Sequence, residues 1–205
     1  MVLIDPSLLA GRDPVGLCRA AVDGGATMIQ VRAKNATAGE LLALTRTLVG
    51  AVSVPVLVND RFDVALLAHA AGAHLGQDDV PLDAVRRHVP AGFVLGLSVG
   101  TPVEVQRAAG WPADYWSIGP CFATATKADA GAPLGVAGFE ALARLAPAGM
   151  PVIGIGGVKA DTAGAIVDAG AVGVAVIQAV LEAPDPRVAA NNLSRAVQDG
   201  LRRRV

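Results

Sequence analysis

The chain has 205 residues, of which 53% are hydrophobic and only 3% aromatic, and its formal net charge is −1. This length favours a single domain, residues 1–205, with a core of Ala, Val, Leu and Ile. The near-neutral charge argues against nucleic acid as a partner, and no apolar run is long enough to predict a membrane span.

The two cysteines, Cys18 and Cys121, are far apart and do not form a C-x-x-C pair. They therefore predict neither a disulfide nor a metal site, and we expect a protein of the reducing cytoplasm. The basic run Arg202–Arg204 is interpreted as a solvated helix end. The sequence leaves the oligomeric state open, a homo-oligomer included.

Short aliphatic runs recur along the chain and predict buried parallel strands. The predicted strands are Val2–Ile4, Met28–Val31, Val54–Val58, Ala73–Leu75, Phe93–Leu97, Tyr115–Ile118, Val152–Ile155 and Gly173–Ile177. Segments with helical spacing separate them, for example Gly39–Val49, which Thr37 and Glu40 would cap. Asp161 is predicted to cap a later helix.

Alternation of strands with helices predicts an α/β fold, a single (β/α)8 TIM barrel of parallel strands. A doubly wound open sheet is the alternative. That fold would usually show fewer strands and a glycine-rich turn after the first one, whereas this chain continues with Asp5-Pro6-Ser7.

Polar residues cluster where the predicted strands end, at the rim that carries the active site of such barrels. After the second strand, alternation directs Gln30, Arg32 and Lys34 towards the barrel mouth. Such a group would bind an anion with several charges, such as a diphosphate. Ordinary solvated charges at a helix entry are the alternative.

Carboxylates follow the next two strands, at Asp60 beside Asn59 and at Asp79. Mg²⁺ prefers oxygen ligands and often takes one or two protein carboxylates together with substrate phosphate and water. The pair therefore predicts a magnesium site, although Asp60 could instead cap the following helix. His74, within the fourth strand, is interpreted as a packed, hydrogen-bonded residue.

The remaining strands end in hydroxyl-bearing or glycine-rich segments. Ser98 ends the fifth strand, and the long loop after the sixth carries Thr124, Thr126 and Lys127 as candidate substrate contacts. Ala130-Gly131-Ala132 could allow this loop to close over a substrate, or the loop could be a surface excursion. Cys121 in the same region is interpreted as an inert thiol.

A phosphate site is expected after the last two strands. Loops after strands seven and eight of these barrels recurrently bind a phosphate through backbone N–H groups. Gly156 and Gly157 permit the close backbone approach that this requires, and Ile177 and Gln178 follow the eighth strand. The rim is thus predicted to hold two anion sites.

In the order and spacing of these segments, the sequence resembles the thiamine-phosphate synthase family from about Gly24 to Val180. The matching segments are Gln30-x-Arg32-x-Lys34, Asn59-Asp60-Arg61, His74-Leu75-Gly76-Gln77-Asp78-Asp79, Gly96-Leu97-Ser98, Gly119-Pro120-x-Phe122-x-Thr124-x-Thr126-Lys127, Ile155-Gly156-Gly157 and Gly173-Val174-Ala175-Val176-Ile177.

The resemblance implies an enzyme that transfers a pyrimidine-methyl group, with Mg²⁺ as cofactor. Hydroxymethylpyrimidine diphosphate would lose pyrophosphate and join a thiazole phosphate to give thiamine phosphate. By the family pattern, the pyrimidine diphosphate contacts are Gln30, Arg32, Lys34, Asn59, Ser98 and Lys127. The metal ligands are Asp60 and Asp79. The thiazole phosphate contacts are Thr124, Thr126, Gly157, Ile177 and Gln178. The candidate catalytic residues are Arg32, Lys34, Ser98 and Lys127.

Two positions depart from the family pattern. Gln178 stands where a serine is usual beside the thiazole phosphate, and Gly100 stands where members often have histidine. A thiazole tautomerase-like paralogue is one alternative. By the family pattern, that branch uses the histidine and often lacks the segment that corresponds to Asn59-Asp60-Arg61. A non-catalytic, regulatory thiamine-phosphate-binding protein is the other alternative.

Overall fold

Parallel strands form one continuous sheet in the computed structural model, which describes residues 1–124 and 131–204. The eight strands follow one another in chain order, and each pairs with the next. They are β1 Val2–Ile4, β2 Ile29–Val31, β3 Val56–Asn59, β4 Gly72–Leu75, β5 Val94–Val99, β6 Tyr115–Ile118, β7 Val152–Ile155 and β8 Gly173–Ala175. A parallel bridge between Val2 and Val176 joins the end of β8 to β1. The predicted (β/α)8 barrel is therefore confirmed.

Helices connect the strands and cover the outside of the sheet. Within the described ranges they are α1 Pro14–Asp23, α2 Ala38–Ala51, α3 Phe62–Leu67, α4 Leu82–Arg86, α5 Pro102–Ala108, α6 Gly135–Ala143, α7 Ala160–Asp168, α8 Gln178–Leu181 and α9 Pro186–Arg203. A 3₁₀ turn over Pro6–Leu8 follows β1. The basic run at the end of the chain continues α9 to Arg203, as its interpretation as a helix end predicts.

Local sequence signals explain where several helices begin. Thr37 and Glu40 form the predicted reciprocal cap, in which each side chain accepts a hydrogen bond from the backbone N–H of the other. The prediction for Asp161 is wrong, because this residue lies in the first turn of α7, which begins after Lys159. The hydroxyl of Thr162 accepts from the Lys159 backbone N–H at 2.9 Å and closes that turn.

Aliphatic side chains fill the space between the sheet and the helices. The strand residues Ile4, Leu57 and Leu95 and the helix residue Ile166 are fully buried, and Trp116 on β6 has no exposed surface either. Strands buried on both faces read as apolar runs, and polar residues are therefore concentrated at their ends. No helix within residues 1–124 and 131–204 is both long and apolar enough to cross a membrane.

Candidate active site

A cavity of about 1300 Å³ opens at the carboxyl ends of the strands, where the predicted site residues meet. The predicted residues that line it are Gln30, Arg32, Lys34, Asn59, Asp60, Asp79, Ser98, Thr124, Gly157, Ile177 and Gln178. Thr126 and Lys127 lie outside the described residues. The structure thus brings together side chains and backbone from seven strand ends, while the role of each residue stays a prediction.

Arg32 enters the cavity from the end of β2 and is held by a carboxylate at the end of β1. Its Nη1 atom donates to Asp5 Oδ2 at 2.5 Å, and only 5% of the Asp5 side chain is exposed. The other oxygen, Asp5 Oδ1, accepts from the Ser7 hydroxyl at 2.6 Å and from the Ser7 backbone N–H at 3.1 Å. Arg32 therefore reaches the cavity in a fixed orientation.

Two carboxylates approach each other on the loops after β3 and β4. Asp60 has a left-handed backbone conformation, with φ of 63°, and its N–H donates to the His74 carbonyl at 2.8 Å. The Asp79 carboxylate accepts a hydrogen bond from the Gly76 backbone N–H at 2.6 Å. This bond holds the carboxylate close to the end of β4, where the loop begins. Lys34 Nζ lies 3.9 Å from Asp60 Oδ2 at the edge of this pair.

The surroundings of Asp60 raise its pKa to about 6 from the usual 3.8. Burial is the largest cause, and the adjacent negative charge of Asp79 is the next, while Lys34 and Arg32 act in the opposite direction. The negative charges of the two carboxylates repel each other, which favours binding of a cation between them. A divalent cation would neutralise this repulsion.

His74 lines the same cavity between two hydroxyl groups. Its Nδ1 atom lies 2.8 Å from the Tyr115 hydroxyl, and its Nε2 atom lies 2.9 Å from the Ser98 hydroxyl. His74 is only 5% exposed, so the interpretation as a buried, hydrogen-bonded residue holds. It nevertheless contacts the predicted site residue Ser98 directly, which the sequence interpretation did not include.

Glycines bring the loops after β6 and β7 into close contact. Gly156 and Gly157 have φ of 90° and 63°, and the Gly156 carbonyl accepts the Phe122 N–H at 2.9 Å. A Cβ atom on Gly157 would lie 2.5 Å from the Ala123 carbonyl oxygen. Both the conformation and the space at position 157 therefore require glycine.

The cavity wall beside β8 carries a hydrogen-bonded pair of long side chains. Gln178 Nε2 donates to Glu182 Oε1 at 2.8 Å across one turn of α8. Lys159, at the start of α7, lines the same cavity. The sequence pattern predicts Gln178 as a site residue but gives no signal for Lys159 or Glu182.

The thiol of Cys121 is free and buried. Burial raises the pKa of the Cys121 thiol to about 12, which fits the interpretation of an unreactive thiol.

Gly100 lines the cavity, and its N–H donates to Glu104 at 2.5 Å. A Cβ atom at position 100 would lie 2.8 Å from the Gly119 carbonyl oxygen, so this backbone has no space for a larger side chain.

Comparisons with known proteins agree with this arrangement. Residues 1–180 match the family model described as thiamine monophosphate synthase. The thiamine-phosphate synthase of Roseiflexus castenholzii is 44% identical over 195 residues, which are 94% of this chain and 85% of that protein. The corresponding protein of Moorella thermoacetica is 41% identical over 199 residues, which are 96% of this chain and 94% of that protein.

Two solved structures share the barrel fold of this chain. Thiamine phosphate pyrophosphorylase from Pyrococcus furiosus matches with a TM-score of 0.86 and 33% identity, covering 98% of this chain and 96% of that chain. Orotidine 5'-phosphate decarboxylase from Pyrococcus horikoshii matches with a TM-score of 0.73 at 15% identity, covering 97% of this chain and 99% of that chain. The second match shows the shared barrel fold alone.

Proposed function

Because this chain belongs to the thiamine monophosphate synthase family, we propose that it condenses hydroxymethylpyrimidine diphosphate with a thiazole phosphate and releases pyrophosphate. The product is thiamine phosphate, and the enzyme is a transferase of a pyrimidine-methyl group. The observation that carries this proposal is that one cavity is lined both by a charged wall, formed by Arg32, Lys34, Asp60 and Asp79, and by a glycine-rich wall, formed by Gly156 and Gly157.

The residues after β3 and β4 fit a magnesium ion. No group of three or more His, Cys, Asp or Glu side chains with metal-binding geometry occurs in the described parts of the chain. Mg²⁺ does not require one, because it commonly binds one or two carboxylates and completes its shell with phosphate and water. The raised pKa of Asp60 beside Asp79 marks a place where a cation is favoured. Bound there, Mg²⁺ would neutralise charge on the diphosphate.

The charged wall would bind the diphosphate and stabilise its departure. As the bond between the pyrimidine methylene and the diphosphate oxygen breaks, negative charge grows on the leaving group. Arg32 and Lys34 line the cavity and can donate hydrogen bonds to the leaving pyrophosphate. Lys127, which lies outside the described residues, is the third proposed cation. Donors that are already oriented stabilise this charge without further reorganisation.

The glycine-rich wall would hold the phosphate of the thiazole. Gly157 lies at the start of the segment that leads into α7, and backbone N–H groups in such a segment can approach a phosphate closely. Thr124, Ile177 and the hydrogen-bonded pair Gln178 and Glu182 line the same cavity and would complete this phosphate site. Gln178 supplies an amide where the family pattern has a hydroxyl.

No protein nucleophile is needed in this reaction. Departure of pyrophosphate leaves an electron-poor pyrimidine-methyl carbon, and the thiazole nitrogen supplies the electron pair for the new bond. That carbon would react quickly with water, so the thiazole must already be aligned. Ser98, whose hydroxyl lies 2.9 Å from His74 Nε2, and Gln30 line the same cavity and would orient the pyrimidine diphosphate.

The sequence favours the synthase over a tautomerase-like role, because position 100 is glycine rather than histidine and the segment Asn59-Asp60-Arg61 is present. A regulatory binder would retain the phosphate-binding walls without turnover. We further propose a cytoplasmic, single-domain protein, since Cys18 and Cys121 are both free and buried and one barrel accounts for the described chain.

Product formation tests the proposal. The protein is mixed with both substrates and Mg²⁺, and thiamine phosphate is identified by mass spectrometry. We expect product with the wild type and a loss of at least about 100-fold in rate with Asp60→Ala, provided that circular dichroism shows an intact fold. Binding of thiamine phosphate without turnover would support the regulatory binder instead.

A further inference from the structure

Asp5 is a buried carboxylate beside a residue that binds an anion in the proposed function. It is 3% exposed, and one of its oxygens lies 2.5 Å from Arg32 Nη1. A negative charge at this place opposes binding of a diphosphate and is costly to bury. Its presence therefore needs a reason other than charge attraction to the substrate.

The hydrogen bonds of Asp5 divide its two oxygens between two tasks. Oδ1 accepts two hydrogen bonds from Ser7, which fixes the plane of the carboxylate. Oδ2 is then directed at Arg32, whose backbone position is set because its N–H donates to the Ile4 carbonyl at 2.9 Å. Among the described residues, Asp5 is the one hydrogen-bond partner of the guanidinium, which leaves its other N–H groups for a ligand in the cavity.

Arg32, Asp60 and Asp79 line the same cavity, at the ends of the neighbouring strands β2, β3 and β4. Without Asp5, the guanidinium would be attracted to the acidic pair Asp60 and Asp79, which the proposed function assigns to Mg²⁺. Arg32 paired there would compete with the cation and would be displaced from the diphosphate.

We propose that Asp5 is a positioning residue that holds Arg32 away from the Asp60–Asp79 pair and directs its free N–H groups to the diphosphate. The inference rests on the proposed function, because it assigns Arg32 to the same leaving group. Asp5 acts through Arg32 and does not itself touch the substrate.

Asp5→Asn tests this role because it preserves the shape of the side chain. The two Ser7 donors require an oxygen on their side, so the amide NH2 faces the Arg32 guanidinium and cannot accept from it. We expect the KM for the pyrimidine diphosphate and the Mg²⁺ concentration for half-maximal rate to rise by about 10-fold or more. The KM for the thiazole phosphate should change by less than about 3-fold, since that wall is untouched. A residue that only packs would leave all three values near wild type.

Asp114→Asn is the matched control. Asp114 also binds a guanidinium and a backbone N–H, from Arg86 and Leu95, but it precedes β6 at the opposite end of the barrel. We expect this variant to lose thermal stability without changing any KM. Ser7→Ala is the second test and keeps the charge of Asp5 while releasing its orientation; it should raise the KM for the pyrimidine diphosphate by about 3-fold.

A double-mutant cycle with Arg32→Ala decides whether Asp5 acts through Arg32. In that background, Asp5→Asn should have no further effect on the KM for the diphosphate. Equal effects in both backgrounds, or wild-type kinetics in both Asp5→Asn and Ser7→Ala, would overturn the inference.

Calorimetric measurement of pyrophosphate binding to the wild type in the presence of Mg²⁺ separates the failure of this inference from the failure of the proposed function. Absence of both binding and turnover in the wild type refutes the proposed function, whereas normal wild-type behaviour with unaffected variants refutes the role of Asp5 alone.

Discussion

Gly96 leaves the space in which the Tyr115 ring meets His74. Gly96 on β5 pairs in register with His74 on β4 and with Tyr115 on β6. A Cβ atom on Gly96 would lie 2.3 Å from the Tyr115 hydroxyl oxygen and 2.4 Å from His74 Nδ1. The hydrogen bond between these two side chains therefore crosses β5 only because position 96 has no side chain.

Gly96→Ala should be strongly destabilising. The added methyl overlaps a buried ring and a buried imidazole, so the barrel interior must shift, at a cost of about 2–4 kcal/mol in the free energy of unfolding. Urea denaturation measures this. Gly50→Ala in α2 is the control, because a Cβ atom there meets nothing within 4 Å and alanine should stabilise the helix by up to about 1 kcal/mol. A cost below about 0.5 kcal/mol for Gly96→Ala would contradict the contact.

Tyr115→Phe should affect both stability and catalysis. It removes the hydroxyl that lies 2.8 Å from His74 Nδ1, and we expect a loss of about 1–3 kcal/mol in the free energy of unfolding. His74 also contacts Ser98, so kcat/KM for the pyrimidine diphosphate should fall by about 10-fold. In a Ser98→Ala background the part of the kinetic effect that passes through His74 and Ser98 should disappear, while the stability effect persists. An unchanged kinetic effect there would show that Tyr115 does not act through Ser98.

The stability of the metal-free protein should depend on pH through Asp60. Its pKa is raised to about 6 in the folded protein, against a usual 3.8. The folded state thus holds this proton more tightly than the unfolded chain does. The contribution of Asp60 to stability is therefore fully present below about pH 4 and is lost as the pH rises through about 6.

Asp60→Asn isolates this contribution, because an amide cannot ionise. The variant should melt at a higher temperature than the metal-free wild type at pH 8 but show no such advantage at pH 4. Mg²⁺ should raise the melting temperature of the wild type at pH 8, less so at pH 5, and not that of the variant. Equal responses of both proteins to Mg²⁺ would show that Asp60 is not a ligand.

Gly157→Ala should weaken binding of the thiazole phosphate. The residue has φ of 63°, and its Cβ atom would displace the Ala123 carbonyl, so the glycine-rich wall must open. We expect a rise of about 10-fold or more in the KM for the thiazole phosphate, with a smaller effect on the pyrimidine diphosphate.

Gly149→Ala is the control for backbone strain alone. Gly149 has φ of 82°, a Cβ atom there meets nothing within 4 Å, and it lies in the loop before β7, away from the cavity. It should cost about 1 kcal/mol of stability and leave both KM values unchanged. Similar kinetic effects of the two substitutions would mean that position 157 does not contribute to the phosphate site.

Most of the barrel could be predicted because its strands are apolar runs separated by polar ends. The predicted strand Tyr115–Ile118 has the observed bounds, and Met28–Val31 differs by one residue at its start. The predicted Gly173–Ile177 extends past the observed end of β8 at Ala175, because the apolar character continues beyond the ladder of strand hydrogen bonds. Such errors at ends do not move a side chain to another face.

The candidate site was only partly accessible from sequence, because its contacts depend on register and side-chain direction. Asp5 follows β1 as visibly as Asp60 follows β3, but its pairing with Arg32 requires the position of β1 beside β2. Likewise, His74 reads as an ordinary core residue until Gly96 is known to lie beside it. Lys159 and Glu182 gave no sequence signal that separated them from other surface charges.

The release of pyrophosphate tests the central claim most directly. The protein is mixed with the pyrimidine diphosphate, the thiazole phosphate and Mg²⁺, each is omitted in turn, and pyrophosphate is measured over time. We predict release at a rate that requires all three components, since the carbon–oxygen bond should break productively only with the charged wall, the cation and the aligned thiazole in place. Absence of release with all three present, or the same rate without the thiazole phosphate, would contradict the assignment of this cavity to the condensation.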